Sequence, residues 1–318
     1  FAFSIAYWGI QGGLVFIASG GQGQFSGPEQ SAIADRNHLA LAMATSLPIL
    51  MYFATWSKLP RPVQLGIWGT FGLTVLAVVG TYSRGGALTL ALVGGLLLLR
   101  SRKFILGGLA ALTVVAALAV ATPEQYVDRM TSIETAAETD RSFRLRLLSW
   151  YVYFQAGSTF PLQGAGFGAL EYGDVYLSFV PVDGFMGITT EKGFAAHSIY
   201  FQIIGELGIL AFAIYLLVIA RAAYILLRLR KRLQSEDNDD DDDARLAEYL
   251  LIAIVGFAFG GAALSMAFYT GFFVLLALAP ALVEVVASER ENARAPDVVD
   301  TADRSRSPTV RRRTSRRR

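Results

Sequence analysis

The sequence predicts an all-α polytopic membrane protein with about eight transmembrane helices and one long extracytoplasmic loop carrying amphipathic helices. Three observations predict it. The 318 residues are 53% hydrophobic and only 17% charged, with mean hydropathy +0.44, whereas a soluble domain carries about 25% charged residues. Apolar runs of about 20 residues, the length that crosses a hydrocarbon core, recur along the chain. A single polar stretch, 123–196, interrupts them.

Composition narrows the chemistry. There is no cysteine, which removes disulfide frameworks and thiolate catalysis. Two histidines, His38 and His197, are too few for a His-rich metal site, while a carboxylate-bound cation stays open. The net charge of +2 says little because the charges are segregated. The chain starts with Phe and shows no signal-peptide pattern, so it is expected to be the C-terminal part of a longer protein with further spans ahead.

Taken in order, the spans are 1–19, 37–56, 64–82, 85–99, 104–122, 197–227, 246–266 and 268–287, the last two close enough for a tight hairpin. This divides the chain into five transmembrane helices in 1–122, an extracytoplasmic loop 123–196, three helices in 197–287 with an acidic cytoplasmic loop 228–245, and a disordered Arg-rich cytoplasmic tail 288–318. Lysines and arginines in short loops set orientation. Lys58 and Arg61, then Arg100, Arg102 and Lys103, then Arg228, Arg230, Lys231 and Arg232, and finally the ten arginines of the tail all fall on one face if the spans alternate. That face is read as cytoplasmic. Span six, 31 residues from His197, would be about 46 Å long and must tilt or protrude. The run Glu236–Asp243, seven acids in eight positions, reads as a solvated linker, with cation binding as the alternative. The basic tail suits anionic headgroups, and its lack of aromatic platforms argues against nucleic acid.

In the outer loop, Asp140 is placed to cap a helix over 141–156. Phe143, Leu147, Trp150, Tyr151 and Phe154 recur at helical spacing there, a stripe suited to lying on the membrane or covering the bundle. Gly157 is expected to end this helix, and Pro161 with Gly164-Ala165-Gly166-Phe167-Gly168 to make a tight turn. The run is not a dinucleotide fingerprint: its spacing is G-x-G-x-G and no βαβ unit surrounds it.

Several polar groups allow two readings each. Arg84, in Ser83-Arg84-Gly85-Gly86, is either a snorkelling helix-end arginine or a ligand-binding group, since a helix N-terminus disfavours a cation and the glycines admit a close neighbour. Arg141, Arg144 and Arg146 form a solvated face or a phosphate grip; guanidinium is a planar, permanently charged fork. His197 is interfacial or a base, its pKa being near working pH. His38, after Asp35-Arg36-Asn37, is part of a polar helix start or a second polar wall of the same site. Glu206, about 180° round the helix from His197, cannot be its simple orienting partner and is expected to hydrogen-bond a neighbouring helix.

Ser83-Arg84-Gly85-Gly86, Arg146-Leu147-Leu148-Ser149-Trp150, Pro161-Leu162-Gln163-Gly164-Ala165-Gly166-Phe167 and His197-Ser198 with Gly208 ten residues on together resemble the O-antigen ligase and polymerase superfamily. The run Ala196–Gly208, with Asp35-x-Asn37 before Leu39-Ala40-Leu41-Ala42, looks most like the exosortase-associated putative O-glycosylation ligases. The resemblance spans roughly 5–285 and leaves out the acidic run and the tail. It implies a GT-C-like, metal-independent membrane glycosyltransferase of a bacterial inner membrane, with its site facing the periplasm. The donor would be a glycan on undecaprenyl diphosphate, and the acceptor a hydroxyl on protein, lipid or glycan. No cofactor is implied. His197, Arg84 and Arg146 would be catalytic, with Arg141, Arg144, Ser83, Asn37 and Trp150 binding substrate. A polysaccharide polymerase shares this chemistry. A lipid-linked glycan transporter and a serine protease using Ser83 and His197 are the rivals from other classes.

Overall fold

The computed structural model describes residues 2–100, 141–188, 190–234 and 242–294. The expected span 104–122, the loop section 123–140 with its Asp140 cap, Arg102, Lys103, most of the acidic run and the tail beyond 294 lie outside the described residues.

The described chain is helical, with a lone Phe185–Ile188 bridge as its only extended pairing. Its helices are α1 (Ala2–Ala18), α2 (Arg36–Thr55), α3 (Arg61–Gly80), α4 (Arg84–Arg100), α5 (Arg141–Thr159), α6 (Gly173–Leu177), α7 (Ile199–Gln234), α8 (Asp242–Gly261) and α9 (Thr270–Arg294), with a 3₁₀ turn at Ala169–Glu171. Five of them, α2, α3, α7, α8 and α9, are long and apolar enough to cross a membrane, so the protein is an integral membrane protein. Of the other expected spans, 104–122 lies outside the described residues, and two fall short of that length. Helices α1 and α4 have 17 residues each, about 26 Å of rise against a hydrocarbon core of about 30 Å.

Helix α2 is the hub. It packs against α1, α3, α4 and α8, while α7 and α9 pack on α8 and on each other. Its side chains from Leu39 to Leu50 are almost all buried, so its apolar character is continuous rather than striped. Helix α5 lies against the first turns of α7.

Contacts at the two ends confirm that the helices alternate in direction. At one end Trp56 Nε1 donates to Asp242 at 2.9 Å, Arg245 donates to Thr55 Oγ1 at 2.6 Å, and Arg100 pairs with Glu248 at 2.9 Å. This end carries Lys58, Arg61, Arg100, Arg228, Arg230, Lys231 and Arg232, as the loop charges predict. At the other end Phe25 N–H donates to the Gly80 carbonyl, the Tyr82 hydroxyl donates to the Gly21 carbonyl, and Phe167 meets Phe268 with ring centroids 4.8 Å apart.

Other boundaries shift. The last two long helices are 242–261 and 270–294 rather than 246–266 and 268–287, and an eight-residue connector replaces the near-absent turn. Residues 288–294, assigned to the disordered tail, continue α9. The acidic loop is shorter than 228–245, because α7 runs to Gln234 and α8 starts at Asp242.

Candidate functional site

The site is organised by a break in α7. Gly208 has φ 88° and ψ 173°, which interrupts a helix that the sequence reads as continuous. A break frees backbone groups that must find partners elsewhere. The outer loop supplies them. Ala165 N–H donates to the Gly205 carbonyl at 2.8 Å, Gly166 N–H to the Glu206 carbonyl at 3.0 Å, and Leu210 N–H to the Pro161 carbonyl at 3.2 Å. Residues 161–166 are therefore spliced into the helix ladder. Gly164 adopts φ 61°, and its Cα faces the Glu206 backbone with no room for a side chain. The tight turn expected at 161–168 is present, and its role is to complete α7.

The nine-residue outer arm, Ile199–Leu207, carries α5. Gly205 meets Tyr153, and Gly157 meets the Ile204 carbonyl. Gly157 thus marks a helix crossing and not the end of α5, which continues to Thr159. The buried face of α5 is Leu148, Val152, Tyr153 and Ala156, which lies beside the aromatic stripe. Phe154 of the expected stripe is exposed, whereas Trp150 stacks on Phe201 at 5.3 Å with the rings 10° from parallel.

One turn before Trp150 on α5 is Arg146, and four residues before Phe201 is His197, and the Arg146 charge disfavours a second charge on the imidazole. His197 lies just before α7, which starts at Ile199, and has a left-handed φ of 48°. Its backbone N–H donates to Ser265 Oγ at 2.7 Å. Burial holds the imidazole below its ordinary value, Arg146 and His38 push the same way, and Asp35 opposes them.

His38 and Asp35 belong to the N-terminal end of α2. Asp35 caps the helix, accepting from the Asn37 backbone at 2.8 Å and from Asn37 Nδ2 at 2.9 Å. Burial works against ionisation there, yet the Asn37 bonds and His38 keep the Asp35 carboxyl below the usual range. Asn37, expected to bind substrate, has its side-chain amide engaged by Asp35. The Asp35 cap is what the first of the two readings of His38, a polar helix start, expects, and His38 lies close enough to His197 to act on it electrostatically.

Ser83 is buried and its Oγ accepts the Gly86 N–H at 3.0 Å, so this expected substrate-binding hydroxyl caps α4. A Cβ on Gly86 would stand 2.5 Å from that of Ala40, two residues after His38. Arg84 is thereby placed, half-buried, at the same end of the bundle as His38. Of the loop arginines, Arg141 is exposed and Arg144 donates to the Met186 carbonyl at 3.4 Å. Glu206 is buried and receives Gln202 Nε2 at 3.2 Å and the Gly168 N–H. Its partners are its own helix and the spliced loop, not the neighbouring helix expected.

Ser265 has no sequence signal: a serine between apolar residues near a helix end is ordinary. His38 had one, its adjacency to Asp35 and Asn37 at the N-terminal end of α2. A cleft of about 520 Å³ lies elsewhere in the outer loop, between Phe160, Gln163, Asp174, Ser178 and Phe179. It contains neither His197 nor the arginines.

No curated protein sequence matches the chain. The segment 69–216, which holds Arg84, Arg146 and His197, matches the O-antigen ligase family (Wzy_C).

Proposed function

We propose that the protein transfers a glycan from a polyprenyl diphosphate carrier to an acceptor hydroxyl at the outer face of a bacterial inner membrane, as an O-antigen-ligase-type glycosyltransferase. The observation that carries this reading is that His197 lies within electrostatic reach of Arg146 from the loop before α7 and of His38 from α2, at the bundle end where Arg84 opens α4. The carrier is undecaprenyl diphosphate in this reading. The run Ala196–Gly208 supports placement with the exosortase-associated O-glycosylation ligases.

In the reaction, the bond from the anomeric carbon to the diphosphate oxygen breaks, and its electron pair stays on the diphosphate. Arg84 and Arg146 hold that group and stabilise its growing charge. The acceptor oxygen forms the new bond to the anomeric carbon, with inversion, and its proton passes to His197. The lowered pKa of His197 keeps the imidazole neutral and able to take a proton near neutral pH. The step needs neither metal nor nucleotide, since the diphosphate is already an activated leaving group.

The test is transfer in purified, reconstituted protein. His197→Ala and Arg84→Ala are each expected to abolish transfer while the protein inserts and purifies normally. Wild-type transfer by both variants overturns the assignment.

A further inference from the structure

We propose that Ser265 is a positioning residue for His197, an inference that rests on the transferase reading above. Ser265 lies outside the matched segment, in the connector between α8 and α9. Met266 N–H donates to the Leu264 carbonyl at 3.1 Å, which closes a three-residue turn centred on Ser265. Leu264 and Met266 on either side are buried, so the turn is anchored and its middle residue aimed. The target is the His197 backbone N–H, 2.7 Å from Ser265 Oγ.

His197 is one of four non-glycine residues with positive φ among the described residues, a conformation L-residues adopt only when held. It precedes the helix, so its N–H has no partner in the α7 ladder. The Ser265 hydroxyl supplies that partner and fixes the direction in which the imidazole leaves the backbone. A second bond ties the same two elements: Ala267 N–H donates to Gln202 Oε1 at 3.1 Å. The connector is thus clamped to α7 whatever stands at 265, and losing the hydroxyl frees the histidine without freeing the helix.

The experiment uses the full chain, reconstituted with the lipid-linked glycan fraction extracted from its native host's membranes, and measures released polyprenyl diphosphate. Ser265→Ala is expected to lower kcat roughly 10- to 100-fold through misplacement of the base, with KM for the glycan lipid little changed and the melting temperature lowered only by the few degrees of about one lost hydrogen bond. Ser265→Thr keeps the oxygen and is expected to restore kcat to within about threefold of wild type. Inactive His197→Ala beside fully active Ser265→Ala overturns the inference alone. Equal losses in Ser265→Ala and Ser265→Thr overturn it as well, since they point to packing. An active His197→Ala overturns both the inference and the transferase reading.

Discussion

Replacing Gly208 with alanine tests whether the spliced break in α7 holds the outer site together. Three costs add. The φ 88°, ψ 173° conformation is close to glycine-only, and forcing a side chain into it costs about 1–3 kcal/mol. The new Cβ would stand 2.5 Å from the Pro161 carbonyl oxygen and 2.8 Å from its carbon, both backbone atoms that cannot rotate aside. Relief therefore means moving the loop and weakening the bonds from Ala165, Gly166 and Leu210, each worth about 1 kcal/mol net. The expected total is about 2–5 kcal/mol, a fall in melting temperature of roughly 5–15 °C. Detergent-purified protein melted by fluorescence-detected size exclusion reads this directly. Gly69→Ala is the control, since a Cβ there meets no described atom within 4 Å and α3 gains helix propensity. Gly208→Ala melting within about 2 °C of wild type would refute the splice.

Further outcomes follow from the same geometry. Arg146→Lys keeps the charge but loses the planar fork, and transfer is expected to fall at least tenfold; unchanged transfer means that Arg146 does not grip phosphate as a fork. His197 is held below 6.5, first by burial, then by Arg146 and His38. The neutral base therefore survives through pH 6.5, and transfer is expected to fall only in more acid solution. Folded His197 takes its proton at lower pH than unfolded His197, so stability rises with pH across the window below 6.5 and levels off above it. NMR titration of labelled histidine checks this: Arg146→Gln should move the midpoint up, and a wild-type midpoint at or above 6.5 rejects the arrangement. At the end of the bundle away from His197, Trp56→Phe deletes the bond to Asp242. The fold should lose about 1 kcal/mol with transfer intact at the far end; lost transfer would show the two ends to be coupled.

What the sequence made legible follows from where the information is local. The spans of α2, α3 and α8 are contiguous apolar runs, and their alternation is written in Lys58, Arg61, Arg100 and the 228–232 cluster. His197 lies within electrostatic reach of Arg146, a nearness that the motif resemblance suggested and the spacing did not. The break at Gly208 was hidden because apolar residues flank it on both sides and its compensating donors come from Ala165 and Gly166, about 40 residues upstream. The buried face of α5 was hidden for a related reason. Its aromatic stripe is real, yet α5 is covered on more than one side, by α7 and by the loop around Tyr176 and Phe185, so the stripe alone does not name the buried face. Asn37 and Ser83 show the limit for polar groups: both stand at helix starts, where capping competes with ligand binding for the same atoms.

Glu206 separates transfer from transport. A carboxylate on a broken helix is what a transporter uses to carry a proton or cation, and there the half-helix ends are left open to the cargo. Here the break is closed by the outer loop, and the carboxylate is held by Gln202 and the Gly168 N–H. The clasp continues through Gln202 to the Ala267 backbone, joining α7, the glycine-rich loop and the connector that bears Ser265. Its work is acceptance of hydrogen bonds, which an amide oxygen also performs. Glu206→Gln should therefore keep transfer within a few fold of wild type, while Glu206→Leu, which leaves two donors without an acceptor, should cost about 1–3 kcal/mol of stability and reduce transfer as the loop loosens. The opposite pattern, a stable Glu206→Gln protein without transfer, would mean that the charge itself is needed, and the reading of Glu206 as a clasp would fall.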